Sequence, residues 1–213
     1  MTGKFIVLEG IDGSGKSTVS QQLYQEFLNN NSKAVDRNSE AVLLCEPTKN
    51  GPYTKEIRNI LGSEVSKKED INITLKDLFL KDRLWNINNQ VKPSLKEGKV
   101  VIQDRYYYST AAYQGKNIAE VSEIIQQYRN IPEVINPDLV IFLEIDPEVA
   151  LKRVSNRNKK IEIFEKIESL KRINQHYDFI WKEFGSFINC VKVNTDGSLP
   201  DIIDTIQHHI RVL

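Results

Sequence analysis

The sequence predicts an α/β fold, a five-stranded parallel sheet with helices on both faces. Three observations carry that prediction. Short apolar runs alternate with helix-length segments along the whole chain. The apolar runs read as buried strands. The first of them leads into a glycine-rich turn and then straight into a helix. No repeat, heptad run or low-complexity tract competes with this reading.

Taken in order, Phe5 to Leu8 is the first strand and Lys16 to Leu28 the helix after it. Asn29 to Glu40 is polar and reads as a loop. Ala41 to Cys45 is the second strand, and Thr54 to Leu61 a short helix. Ile73 to Lys96 is a long helical stretch, with Leu75, Leu78, Phe79, Leu84, Ile87 and Val91 near helical spacing. Pro93 is placed to bend or shorten its end. Lys99 to Gln103 is the third strand, ending at Asp104. Tyr107 to Gly115 and Ile118 to Tyr128 read as helical. Leu139 to Ile145 is the fourth strand. Pro147 to Asn156 is a helix, with Asp146 as N-cap and Pro147 at its first position. Ile161 to Phe184 is another helix. Phe187 to Val193 is the last strand, and Leu199 to Val212 the last helix. In such sheets ligands bind beyond the carboxyl ends of the strands.

A chain of 213 residues fits a single domain over 1–213. Lys and Arg number 29, as do Asp and Glu. That balance argues against a general nucleic-acid or membrane-surface binder, while leaving room for local basic clusters. Cys45 and Cys190 both sit in apolar runs and are expected to be inert buried thiols, with no metal-ligand spacing. The first apolar run is too short for a signal peptide or a membrane span. A reducing, cytoplasmic setting is the expectation.

Gly10-Ile11-Asp12-Gly13-Ser14-Gly15-Lys16-Ser17 fits the phosphate-binding pattern G-x-x-x-x-G-K-[ST] in full. Its glycines let the backbone curl so that successive N–H groups point inward. The helix start adds free donors and a positive dipole end. With Thr18 at the helix start, these nine residues are the expected nucleotide-binding set. Lys16 is expected to reach the β- and γ-phosphates of ATP, and Ser17 to offer its hydroxyl to Mg2+. The third strand runs into Asp104 and Arg105. A carboxylate at a strand end beside the phosphates can hold Mg2+ or its waters. The planar fork of Arg105 suits a phosphate monoester. An ordinary surface ion pair is the plainer alternative for these two residues.

Beyond this point the chain resembles thymidylate kinases. Asp104-Arg105-Tyr106 is followed by Ser109-Thr110-Ala111-Ala112-Tyr113-Gln114-Gly115, as in that family. Asp12 stands at the family's acidic position in the loop. Glu46-Pro47 follows the second strand, Phe79 precedes Arg83 by four residues, and Pro137 to Leu143 matches P-D-L-x-[IL]-[FY]-L. The match runs from about Phe5 to Tyr177. It implies a three-layer P-loop NTPase fold with a short lid, about 153–164, and the reaction ATP + dTMP → ADP + dTDP in a homodimer.

The resemblance also implies residue roles. Phe79 stacks on thymine, an interaction worth about 0.5–1.5 kcal/mol beyond area burial. Arg83 and Gln114 hydrogen-bond the base, and Ser109 and Thr110 line the same pocket. Arg105 and Arg58 hold the dTMP phosphate. Asp12 contacts the 3′-hydroxyl or positions the phosphate through Mg2+. Tyr113 stands where bulk excludes a ribose 2′-hydroxyl. Each has a plainer reading: Phe79 and Tyr113 as core aromatics, Arg58 as a solvated charge, Ser109 and Thr110 as helix caps. The loop's variable positions, Gly13 and Ser14, carry no cation. Positive charge for the transferred group must therefore come from elsewhere, with Arg153 and Arg157 favoured over Lys159 and Lys160. Cys45 stands where the family often has arginine, and Ile163 departs from a common lid arginine.

Other classes fit less well. A GTP switch needs N-K-x-D, and Asn158-Lys159-Lys160-Ile161 lacks the acid. A nicotinamide site needs a third glycine where Lys16-Ser17-Thr18 stands. Another nucleotide kinase, or a non-catalytic nucleotide-binding module, stays open on sequence alone.

Overall fold

The computed structural model describes residues 3–29, 40–62, 69–155 and 163–213. The strands are β1 (Lys4–Glu9), β2 (Ala41–Cys45), β3 (Val100–Asp104), β4 (Leu139–Glu144) and β5 (Cys190–Asn194). They form one sheet of order β2-β3-β1-β4-β5, and every neighbouring pair is parallel. The helices are α1 (Lys16–Leu28), α2 (Thr54–Leu61), α3 (Glu69–Asn86), α4 (Lys92–Lys96), α5 (Tyr107–Gln114), α6 (Ile118–Arg129), α7 (Pro147–Ser155), α8 (Ile163–Phe184) and α9 (Leu199–Arg211).

The period of two along a strand explains the three layers. In β1, Phe5 and Val7 enter one core while Ile6 and Leu8 enter the other. Val140 and Phe142 of β4 follow the first pair, and Leu139, Ile141 and Leu143 the second. The Ile6–Leu8 face is covered by Val19, Leu23 and Phe27 of α1 and by Ile202, Ile206 and Ile210 of α9. Those residues recur at helical spacing, so each helix offers one apolar stripe. The opposite face packs against α5, α6 and α8 through Tyr107, Val121 and Ile180.

Local chemistry sets the ends of several helices. Asp146 caps α7 as expected, its Oδ1 accepting from Glu148 N at 2.8 Å. The long stretch before β3 is helical throughout, but it contains a π-helical turn at Ile87–Val91. Pro93 falls in the first turn of the short α4 that continues directly from the π-helical turn.

Two expectations need correction. Cys45 and Cys190 are half-buried rather than buried. Their strands, β2 and β5, are the outermost pair of the sheet, so each has only one neighbouring strand. The last strand begins at Cys190, not Phe187. Phe187 instead donates its N–H to Phe184 O in a turn after α8, and its ring is 68% exposed.

Candidate active site

β1 and β3 lie side by side with Leu8 opposite Asp104. That register brings the loop after β1 level with Asp104 and Arg105. The loop turns through Gly10, Gly13 and Gly15, all with positive φ. Gly13 approaches α7 so closely that a Cβ would lie 2.4 Å from Ala150 O. No side chain, basic or otherwise, fits there without moving α7.

Lys16 folds back over the loop, donating to Gly10 O and Ile11 O at 2.8 Å each. Gly10 and Ile11 thus hold the lysine and do not line the open cleft. Burial, then repulsion from Arg105, brings the Lys16 ammonium down to about 7. Above the loop is a cleft of about 700 Å³ lined by Asp12 to Val19, Arg105, Arg153 and the segment after β5. Arg153 donates to Thr195 O at 3.0 Å and faces this cleft. Arg157, Lys159 and Lys160 lie outside the described residues.

Ser17 Oγ donates to Asp104 Oδ2 at 2.8 Å, while Asp104 Oδ1 is buried with no hydrogen-bond partner. A hydroxyl and a carboxylate with one orphaned oxygen, at the mouth of a phosphate loop, suit a hard divalent cation that takes its other ligands from phosphate and water. Among the described residues no cluster of three or more acidic, His or Cys side chains forms a complete protein cage.

A second cavity, of about 380 Å³, lies beneath α3 and α5. Phe79, Arg83, Arg105, Ser109, Thr110, Tyr113 and Gln114 line it together with Glu46, Pro47 and Asp12. Seven of the eight residues expected to bind the acceptor are brought together here. Arg58 is not among the lining residues and is exposed on α2, although its charge reaches Cys45 at the end of β2.

Arg83 is buried and meets Glu46 Oε2 through Nε at 2.8 Å and Nη2 at 2.6 Å. Nη2 also donates to Thr110 Oγ1 at 3.2 Å, and the guanidinium lies 4.7 Å from the Tyr128 ring centre. Burial pushes the Glu46 carboxyl up to about 7 while Arg83 pulls it back. The two-pronged contact is that of an ion pair. Arg83 Nη1 is buried without a partner, a donor free for a ligand.

Arg105 pairs with Asp12 and stands 5.0 Å from the Tyr113 ring centre. Against the opposing effect of burial, Arg105 and Lys16 hold the Asp12 carboxyl below its usual range. The Tyr113 hydroxyl is buried beside Asp12 and Arg105, with no partner at full hydrogen-bond geometry. Asp12 and Arg105 line both cavities, so the two spaces meet at this pair.

Sequence reasoning missed several groups. Glu9 is fully buried and takes the Ser109 hydroxyl at 2.6 Å, so Ser109 is already engaged. Asp82 fixes the turn after Pro47 by accepting from Thr48 N and Oγ1. Asn86 bridges Gln103 and Glu46. Their one visible signal was polarity inside apolar segments, which does not name a partner.

A phosphate loop facing a second cavity across a shared Asp–Arg pair defines a P-loop nucleotide kinase. Comparison with known proteins narrows the class. The family model for thymidylate kinase matches residues 8–196. The thymidylate kinase of Desulfotalea psychrophila is 34% identical over 213 residues, spanning 99% of this chain and 97% of that protein. That of Leptospira borgpetersenii is 38% identical over 179 residues, covering 83% and 80%. A probable thymidylate kinase of Methanococcus vannielii is 37% identical over 203 residues, covering 93% and 90%. The chain belongs to the thymidylate kinase family, and its fold is that of a P-loop phosphotransferase.

Proposed function

We propose that the chain transfers the γ-phosphoryl group of ATP to dTMP, giving ADP and dTDP. The observation that carries this reading is the meeting of the two cavities at Asp12 and Arg105. A donor triphosphate in one and an acceptor monophosphate in the other would face each other across that pair.

The acceptor phosphate oxygen is itself the nucleophile, so catalysis is positioning plus charge neutralisation. Loop amides and Lys16 hold the donor phosphates. Arg105, helped by Arg58, holds the acceptor phosphate and gives up its pairing with Asp12 to do so. Phe79 stacks on thymine, Arg83 Nη1 and Gln114 bond the base, and Thr110 and Ser109 complete the wall. Tyr113 and Asp12 face the sugar. Arg153, with Arg157 in a lid about 153–164, places positive charge on the donor side. Ser17 and Asp104 would hold Mg2+, whose charge offsets that of the β- and γ-phosphates.

We extend the same reading to one catalytic domain over 1–213, acting as a cytoplasmic homodimer on small-molecule substrates. Among the described residues no helix is long and apolar enough to cross a membrane. A coupled ADP-release assay over a panel of nucleoside monophosphates tests the substrate. We expect dTMP to be best. dUMP, one methyl smaller, should be turned over less well by about 1–3 kcal/mol. Good turnover of another monophosphate with none of dTMP would refute it.

A further inference from the structure

Arg105 has φ +73°, the only positive φ outside glycine among the described residues. Such a conformation costs an ordinary side chain and persists only where its surroundings over-determine it. Three hydrogen bonds do so. Arg105 N donates to Leu8 O at 3.0 Å, and Gln103 Nε2 donates to Arg105 O at 3.0 Å. The next amide, Tyr106 N, donates to Glu9 Oε1 at 2.7 Å.

Glu9 does more than hold one amide. Its Oε1 also accepts from Ser109 N at 3.2 Å. Tyr106 is the N-cap residue of α5, with no capping bond from its side chain, and Ser109 is the third residue, whose N–H is shared with Tyr106 O at 3.0 Å. Its Oε2 accepts from Ser109 Oγ at 2.6 Å and from Tyr177 OH, on α8, at 2.9 Å. Ser109 Oγ in turn accepts from Arg105 Nη1 at 3.1 Å. Glu9 therefore grips Arg105 at both ends, its backbone through Tyr106 N and its guanidinium through Ser109. Burial pushes the Glu9 carboxyl up, while the two hydroxyls, the two N–H groups around it and the nearby Arg105 charge favour the acceptor-only carboxylate. A helix start needs no buried charge brought from another strand, since a local Ser or Asp suffices. Burying one here has a desolvation cost, and the pinned residue is one of the two shared by both cavities.

We propose that Glu9 is a positioning residue for phosphoryl transfer, holding Arg105 in its left-handed conformation and, through Ser109, aiming its guanidinium at the seam between the two cavities. This rests on the reading of Arg105 as the grip on the acceptor phosphate.

The test is steady-state kinetics on the full chain with Glu9→Gln, which keeps the shape and removes the charge. We expect kcat to fall about 10–100-fold, the range of small misplacements at a reacting centre. KM for dTMP should rise while KM for ATP stays within about twofold. Ser109→Ala should show a weaker form of the same split, and it serves if Glu9→Gln does not fold. In an Arg105→Lys background, Glu9→Gln should cost less than about threefold more, because the group it positions is gone. The inference is overturned if Ser109→Ala, together with any soluble Glu9→Gln, keeps wild-type kcat and KM for dTMP. It is overturned equally if the Glu9 and Arg105 losses multiply. If the wild-type chain does not turn over dTMP, the proposed function falls by itself. Glu9 is then judged by calorimetric titration with inorganic phosphate, where equal affinity of wild type and Glu9→Gln overturns the inference and weaker binding by the variant supports it.

Discussion

Replacing Arg83 by Met separates two jobs of one side chain, holding the fold and the base reading proposed for it. Arg83 and Glu46 are 1% and 3% exposed, so the substitution strands a carboxylate in the interior. Breaking a buried pair in this way costs about 3–5 kcal/mol. Glu46 already stands at about 7 with Arg83 beside it, and losing Arg83 raises it further. For a chain of this size the melting temperature should fall by about 6–20 °C at pH 8. The sign with pH follows from linkage. The variant's Glu46 has a folded pKa above its unfolded value, so the native state takes up a proton as pH falls. Stability lost at pH 8 should return as pH drops from above about 7 towards 4.5. Arg83→Met with Glu46→Leu should recover most of it at every pH, because an apolar pair of similar volume is often neutral or stabilising. Neither variant should recover KM for dTMP, since both lack the free Nη1 donor. Thermal melts at pH 8 and 5.5 with dTMP kinetics decide the matter. A single variant that melts like wild type at both pH values would refute the buried-pair argument. Restored dTMP affinity in the double variant would refute the base-reading role.

Lys16→Ala should lose about 10²–10³ or more in rate, measured on protein shown to be folded by circular dichroism. Asp104→Asn should need about tenfold more Mg2+ for half-maximal rate, read from a Mg2+ titration, because a carboxylate is the stronger ligand for a hard cation. ATP binding should take up a proton above pH 7, since Lys16 stands at about 7 in the free chain and phosphates favour its charged form. Affinity should then weaken as pH rises past 7, and calorimetry in buffers of different ionisation enthalpy counts the proton.

The phosphate loop was legible because its function lies in consecutive residues, and a strand and helix on either side fixed its context. The acceptor cavity was legible only through its resemblance to a family. Phe79, Glu46 and Thr110 are far apart in sequence, and spacing alone cannot place them around one space. The Glu9–Ser109 contact spans 100 residues and depends on the parallel register of β1 and β3. A single polar residue ending an apolar strand gave no hint of it. Cys45 and Cys190 were misjudged for a related reason. An apolar run reveals a strand, but its place at the rim of the sheet is set by strand order, which local pattern does not encode.

The Asp12–Arg105 pair has a consequence for redesign. Each residue borders both spaces, so a change at either alters the shared wall and not the choice of acceptor base alone. Phe79, Arg83 and Gln114 border the 380 Å³ space and not the phosphate-loop cleft, so they form an end that the two spaces do not share. New acceptor bases are best sought by altering that end, with the common partition left untouched.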